Sequence, residues 1–177
     1  RRRVAVQAGG YVGVWAGHLA GRFWRVVTFE PHAVNGDCCA RNVQGLDNVT
    51  LHRAALGDWV ADAVPMTHSV SNTGKHKIAL HGKCVAAAKQ VVPMLTLDSL
   101  ELDQVDLLYL DIEGYEPFAL RGAEATIARC RPAAIGIEDL GHSRDHGVDP
   151  ETMWKWLRQR GYAYVGRAGE DQLWAPA

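Results

Sequence analysis

The chain has no C-x-x-C pair, no apolar run of membrane-spanning length and no surplus charge of either sign, and each lack removes a class of function. Its four cysteines, Cys38, Cys39, Cys84 and Cys130, have no zinc-ligand spacing, and adjacent Cys38 and Cys39 fall in a segment of helical character. They read as free thiols of a reducing compartment. Nineteen Lys and Arg against twenty Asp and Glu leave a formal charge of -1, so no bulk field draws the chain to nucleic acid or an anionic membrane. Apolar stretches are broken by Gly, Arg or His well short of the roughly 20 residues of a spanning helix, and no signal-peptide pattern is seen. The expectation is a soluble, cytoplasmic protein without nucleic-acid or membrane partners. Arg1 to Arg3 read as a solvated end, and the sequon Asn48-Val49-Thr50 as a chance match.

What is present is alternation. With 177 residues, 47% of them hydrophobic, the chain suits one domain over 1–177. Strand-like Val4 to Ala8, Arg25 to Phe29 and Val49 to Ala54 are separated by helical stretches at 12–23 and 34–43, the signature of β-α-β units and a parallel sheet. From about 57 to 93 the pattern dissolves into Gly, His, Ser, Asn, Thr and Lys, which reads as a variable insert, either a lid or a hairpin. Alternation resumes with strand Asp106 to Leu110, a helix from about Glu116 to Arg129, and strand Ala133 to Glu138. Asp149-Pro150 opens a last helix that Gly161 closes, and Tyr162 to Gly166 and Asp171 to Trp174 read as closing strands.

The segment "VAVQAGGYVGVW" runs a strand into Gly9, Gly10 and Gly13 and then into a helix. Glycine lets backbone approach a ligand, and the helix start offers unpaired N–H groups. The spacing is G-G-x-x-G rather than the dinucleotide G-x-G-x-x-G, which disfavours an NAD dehydrogenase. Glu30 ends the second strand about twenty residues on, where an acid can hold both hydroxyls of a ribose.

A second segment, "VDLLYLDIEGYEPFALRGAEATI", carries a strand straight into Asp111, Glu113 and Glu116. Ligands of open α/β sheets bind beyond the carboxyl ends of strands, so Asp111 and Glu113 should face the crevice of Gly9 and Glu30. Glu116 reads better as an acid stabilising the next helix. Asp111 is the first choice as general base, with Glu113 as neighbour or alternate. His68, His76 and His81 read as loop histidines, whereas His142 and His146, in "EDLGHSRDH" beyond another strand, are stronger candidates, and His142 is taken as a further catalytic residue. Asn72, Thr73 and Glu138 are candidate substrate contacts. Asp111, Glu138, Asp139 and His142 have the donor types of a magnesium site, but spacing alone does not decide it, and no metal ligand is assigned. Of the six tryptophans, Trp59 is the candidate for ligand contact; Trp154 and Trp156, two apart, cannot share a helix face.

Together "QAGGYVGVW", "TFEPH", "NVTLHRAALGD", "LTLDSL" and "LDIEGYEPFALRGAEATI" resemble the FkbM-type branch of the S-adenosylmethionine-dependent methyltransferases over nearly the whole chain. The resemblance implies a Rossmann-like, seven-stranded, mostly parallel α/β sheet with an antiparallel last strand and helices on both faces. It implies O-methylation of a hydroxyl on a sugar, glycan or other small metabolite. Gly9 and Gly13 would then form the turn under the methionine part of the cofactor, Glu30 would hold its ribose, Ala55 and Leu56 would lie near its adenine, and Asp111 would stand at the methyl-transfer centre. The family usually has an acid where Gln7 stands and Asn or His where Tyr11 stands. Gln7 could still bond the cofactor's amino acid portion without attracting its ammonium. The helices that often precede the first strand in the family are short or absent here, which implies a minimal, open acceptor side. The alternative is a nucleoside-binding module of the same fold without turnover.

Overall fold

The computed structural model describes residues 3–67, 69, 73–82 and 88–177. The elements in order are β1 (Val4–Ala8), α1 (Val14–Ala20), β2 (Arg25–Phe29), α2 (Ala33–Asn42), β3 (Val49–His52), β4 (Ala55–Leu56), β5 (Ala61–Thr67), β6 (Ala88–Leu95), β7 (Leu107–Leu110), α3 (Glu116–Arg121), α4 (Glu124–Cys130), β8 (Ala134–Glu138), α5 (Pro150–Gln159), β9 (Tyr162–Ala168) and β10 (Asp171–Pro176).

Seven strands form one sheet in the order β3-β2-β1-β7-β8-β10-β9. The first five are parallel; β10 runs antiparallel between β8 and β9. The sheet is thus the mostly parallel one expected, and the last strand in sequence is its antiparallel member. Alternating side chains of the central strands feed cores on opposite faces. Val6, Val27, Leu108, Leu110 and Ile135 pack with Leu120, Ile127, Met153 and Leu157 of α3, α4 and α5. Ala5 and Val26 pack instead with Ala16, Leu19 and Cys39 of α1 and α2.

In the 57–93 stretch β5 pairs antiparallel with β6, and β6 pairs parallel with β4, giving a separate three-stranded sheet. Its Val64, Met66, Val92 and Met94 pack on Tyr115 and Phe118 at the start of α3.

The helix expected over 116–129 is two helices. Gly122 lies at the break because a Cβ there would come 1.9 Å from the Gly57 carbonyl oxygen, so the chain leaving β4 occupies the space a side chain would need. Asp98 of "LTLDSL" restarts the helical path by accepting from the Ala125 and Thr126 N–H groups at 3.0 and 2.7 Å. Helix α5 begins as expected: Asp149 accepts from the Glu151 N–H, and Pro150 occupies the first turn. Trp154 is buried and stacks on Trp174 at 5.6 Å, whereas Trp156 is partly buried and covered by the Arg160 guanidinium at 3.7 Å.

Candidate active site

Register aligns the site. Ala8 pairs with both Phe29 and Leu110, and Leu110 pairs with Ile137, so the residues that follow, Gly9, Glu30, Asp111 and Glu138, stand in one row beyond the strand ends. The Gly9 and Gly10 N–H groups both donate to the Phe29 carbonyl, and Asp111 N–H donates to that of Ala8.

Glycine is required at the first turn position. Gly9 has φ +90°, and a Cβ there would stand 1.9 Å from the Asp111 carbonyl oxygen. Beside it a cavity of about 410 Å³ opens, lined by Gly9, Gly10, Glu30, Asp111, Glu113 and Glu138 among others. Such a volume suits a cofactor-sized ligand. Ala55, Leu56, Met66 and Ile78 form an apolar wall of the cavity.

Glu30 is 6% exposed. Its Oε2 accepts from the Tyr11 N–H at 2.7 Å and its Oε1 from the His32 N–H at 2.9 Å. Burial nonetheless pushes its carboxyl up to about 7, against those bonds and one from Asn35. Beyond these bonds the carboxylate keeps acceptor capacity for a ligand hydroxyl.

At the other end the Asp111 and Glu138 carboxyl groups stand within hydrogen-bonding reach of each other. Burial, then the neighbouring carboxylates, raises both groups above the ordinary carboxylate range. Glu116 is 2% exposed and folds back so that Oε1 accepts from the Ile112 and Gly114 N–H groups at 2.9 and 3.1 Å. It therefore holds the turn that carries Asp111 and Glu113, in addition to beginning α3.

Several expected residues stand elsewhere. Gln7 is fully buried outside the cavity lining: across the β1–β2 register its Oε1 accepts from the Thr28 hydroxyl, and its Nε2 donates to the Gly9 carbonyl, so it braces the turn from beneath. Gly13 begins α1 at φ +89° and lets Cys39 of α2 approach, without lining the cavity. His142 lines a smaller cleft beside the cavity, together with Glu138 and Gly114. Thr73 is held beside the lining by Tyr11 Oη at 3.0 Å and by Asn35 Nδ2, which donates to its carbonyl. Asn72 and His68 lie outside the described residues. His146 is buried against Tyr115 and Phe118, and burial lowers it to about 4, so it packs as a core side chain.

Trp15, 52% exposed, lines the cavity in place of Trp59, which meets His81 instead. Asn35, Met66 and Ile78 were not expected in the lining. The two apolar residues belong to the second sheet or its bridge, whose placement over the cavity depends on tertiary packing.

A family model, the methyltransferase FkbM domain, matches residues 7–164. The chain belongs to the FkbM methyltransferase family. An FkbM methyltransferase from Methylobacillus flagellatus KT aligns over 98% of this chain and 43% of its own, with TM-score 0.67 and 17% identity. The chain therefore spans less than half the length of that relative. An rRNA methylase from Streptococcus thermophilus aligns over 98% of this chain and 84% of its own at TM-score 0.54 and 13% identity. A Streptococcus mutans protein described as a methyltransferase, in complex with SAH, covers 98% and 87% at TM-score 0.56 and 8% identity. At these identities the likeness is one of fold. No protein of curated function matches the chain in sequence. Among the described residues no helix is long and apolar enough to cross a membrane.

Proposed function

We propose that this FkbM-family chain transfers a methyl group from S-adenosylmethionine to a hydroxyl oxygen of a sugar or other small metabolite. The reading is carried by one cavity that has the Gly9-Gly10 backbone and Glu30 on one side and Asp111, Glu113 and Glu138 on another. S-adenosylmethionine, when bound, supplies an electrophilic methyl group and is left as S-adenosylhomocysteine. Glu30 would accept the two ribose hydroxyls, Ala55 and Leu56 would face the adenine, and the crowded carboxylates favour a cationic ligand over a neutral one. Asp111, on the cavity wall beside the Gly9 turn, would take the acceptor hydroxyl's proton as its oxygen is methylated. Most of the rate would come from holding the acceptor oxygen in line, with the base adding to it.

Calorimetric titration of the purified protein with S-adenosylhomocysteine, and with NADH for comparison, tests the reading. Saturable binding of the former alone is expected, weakened by Glu30→Ala. No binding, or equal binding of NADH, would overturn it. Binding without methylation of any hydroxyl acceptor would favour the nucleoside-binding alternative. Methyl incorporation into RNA would reassign the acceptor to the class named for the Streptococcus thermophilus neighbour, against the formal charge of -1.

The raised Glu30 carboxyl adds a pH dependence. Only the carboxylate accepts from both hydroxyls, and with the group near 7 it is mostly protonated at about pH 6 and mostly ionised at about pH 8. S-adenosylhomocysteine should bind about tenfold tighter at the higher of those values. Glu30→Gln should flatten that profile; a wild-type profile that is already flat would remove Glu30 from the ribose.

A further inference from the structure

We infer that Glu113, Glu138 and His142 form a divalent cation site on the wall between the cavity and the smaller cleft. One ligand atom from each lies within 4.8 Å of the others. Glu113 is 8% exposed, and its Oε2 makes no hydrogen bond. That atom stands 3.1 Å from His142 Nδ1, which is also buried without a hydrogen bond. Two polar atoms at contact distance but not directed at each other are arranged as ligands converging on a third centre. Among the described residues no Lys or Arg forms an ion pair with Glu113 or Glu138; the basic group beside Glu113 is His142 itself.

The backbone fixes this approach. Gly114, at φ +101°, would place a Cβ 2.5 Å from the carbonyl carbon and oxygen of His142, so the turn after β7 lies directly against the segment after β8. Glu113 lines the cavity, His142 lines the cleft and Glu138 lines both, so the three meet where the two spaces adjoin. Asp139 does not belong to it: its carboxylate accepts from Gln172 at 2.7 Å, and Arg167 lies 4.0 Å away.

Two carboxylates and one imidazole suit Mn²⁺ or a cation of similar hardness. Ligands at about 2.1–2.2 Å can stand at most about 4.3 Å apart, so binding closes the triad by up to about half an ångström. Three protein ligands leave coordination positions open to the cavity. If the methyltransferase reading holds, on which this last step rests, those positions fit two neighbouring oxygens of the acceptor. A vicinal diol or a hydroxy acid would be favoured over an isolated alcohol.

Titration with Mn²⁺, followed by the electron paramagnetic resonance of the free ion, tests the site. One ion per chain is expected, with Glu113→Gln and His142→Ala each weakening binding at least about tenfold. His142→Asp, which restores a ligand, should recover most of that loss, so a general loss of folding is distinguishable from loss of a ligand. No saturable binding up to about 1 mM Mn²⁺, or binding unchanged in both Glu113→Gln and His142→Ala, would overturn the site. S-adenosylhomocysteine titrated in the same samples keeps the two readings apart: Mn²⁺ bound without it sinks the methyltransferase reading alone, and it bound without Mn²⁺ sinks the cation site alone.

Discussion

Asp111→Asn is expected to lower methyl transfer by about 10²–10⁴-fold while leaving S-adenosylhomocysteine binding within about threefold of the unsubstituted chain. Asparagine keeps the volume of the side chain and can still hydrogen-bond to Glu138, but it cannot take a proton from the acceptor. The strand-end position is unchanged, since the Asp111 N–H bond to the Ala8 carbonyl belongs to the backbone. Stability should hold or rise, because a neutral amide removes like-charge repulsion among buried carboxylates. The loss would therefore not be one of folding. Single-turnover methylation read beside a thermal melt separates the two. Turnover within about tenfold of the original at an unchanged melting temperature would remove Asp111 as the base and turn attention to Glu113.

The row of site residues was legible because it depends on local pattern. An apolar strand that runs into Asp111, and another that runs into Glu30, announce strand ends, and β-α-β alternation puts such ends on one edge of a sheet. Gln7 was not legible in the same way. Its partner is decided by the register of β1 against β2, which sets it beside Thr28, and nothing in the local sequence reports that register. The division of the helix at Gly122 was hidden for a related reason: its cause is the Gly57 carbonyl, far earlier in the chain. The meeting of Glu113 with His142 joins turns from two strands and depends on the space Gly114 leaves. Sequence supplied the residue types, and packing supplied the pairing.

Gly9→Ala should cost the fold about 2–4 kcal/mol, through the left-handed φ and a backbone clash that no rotamer can relieve. The added Cβ would meet the Asp111 carbonyl oxygen at 1.9 Å and its carbon at 2.9 Å, so the ends of β1 and β7 must separate. Those two ends carry the glycine turn and the proposed base, and their separation should abolish S-adenosylhomocysteine binding as well. Gly10→Ala provides a graded comparison. There the Cβ would meet the Thr28 hydroxyl at 2.9 Å and the Glu30 Cβ at 3.2 Å, mostly side-chain atoms that can shift, so affinity should fall more than stability. Gly17→Ala, in α1 with no atom within 4 Å of its Cβ, should be neutral or stabilising by up to about 1 kcal/mol. Thermal melts of the three variants should therefore rank Gly17→Ala highest and Gly9→Ala lowest, the last by roughly 5–15 °C below the unsubstituted chain. A Gly9→Ala protein that melts with Gly17→Ala and still binds S-adenosylhomocysteine would mean that β1 and β7 do not hold their ends at this separation. The alignment of Gly9 with Asp111, on which the proposed site depends, would then fail with it.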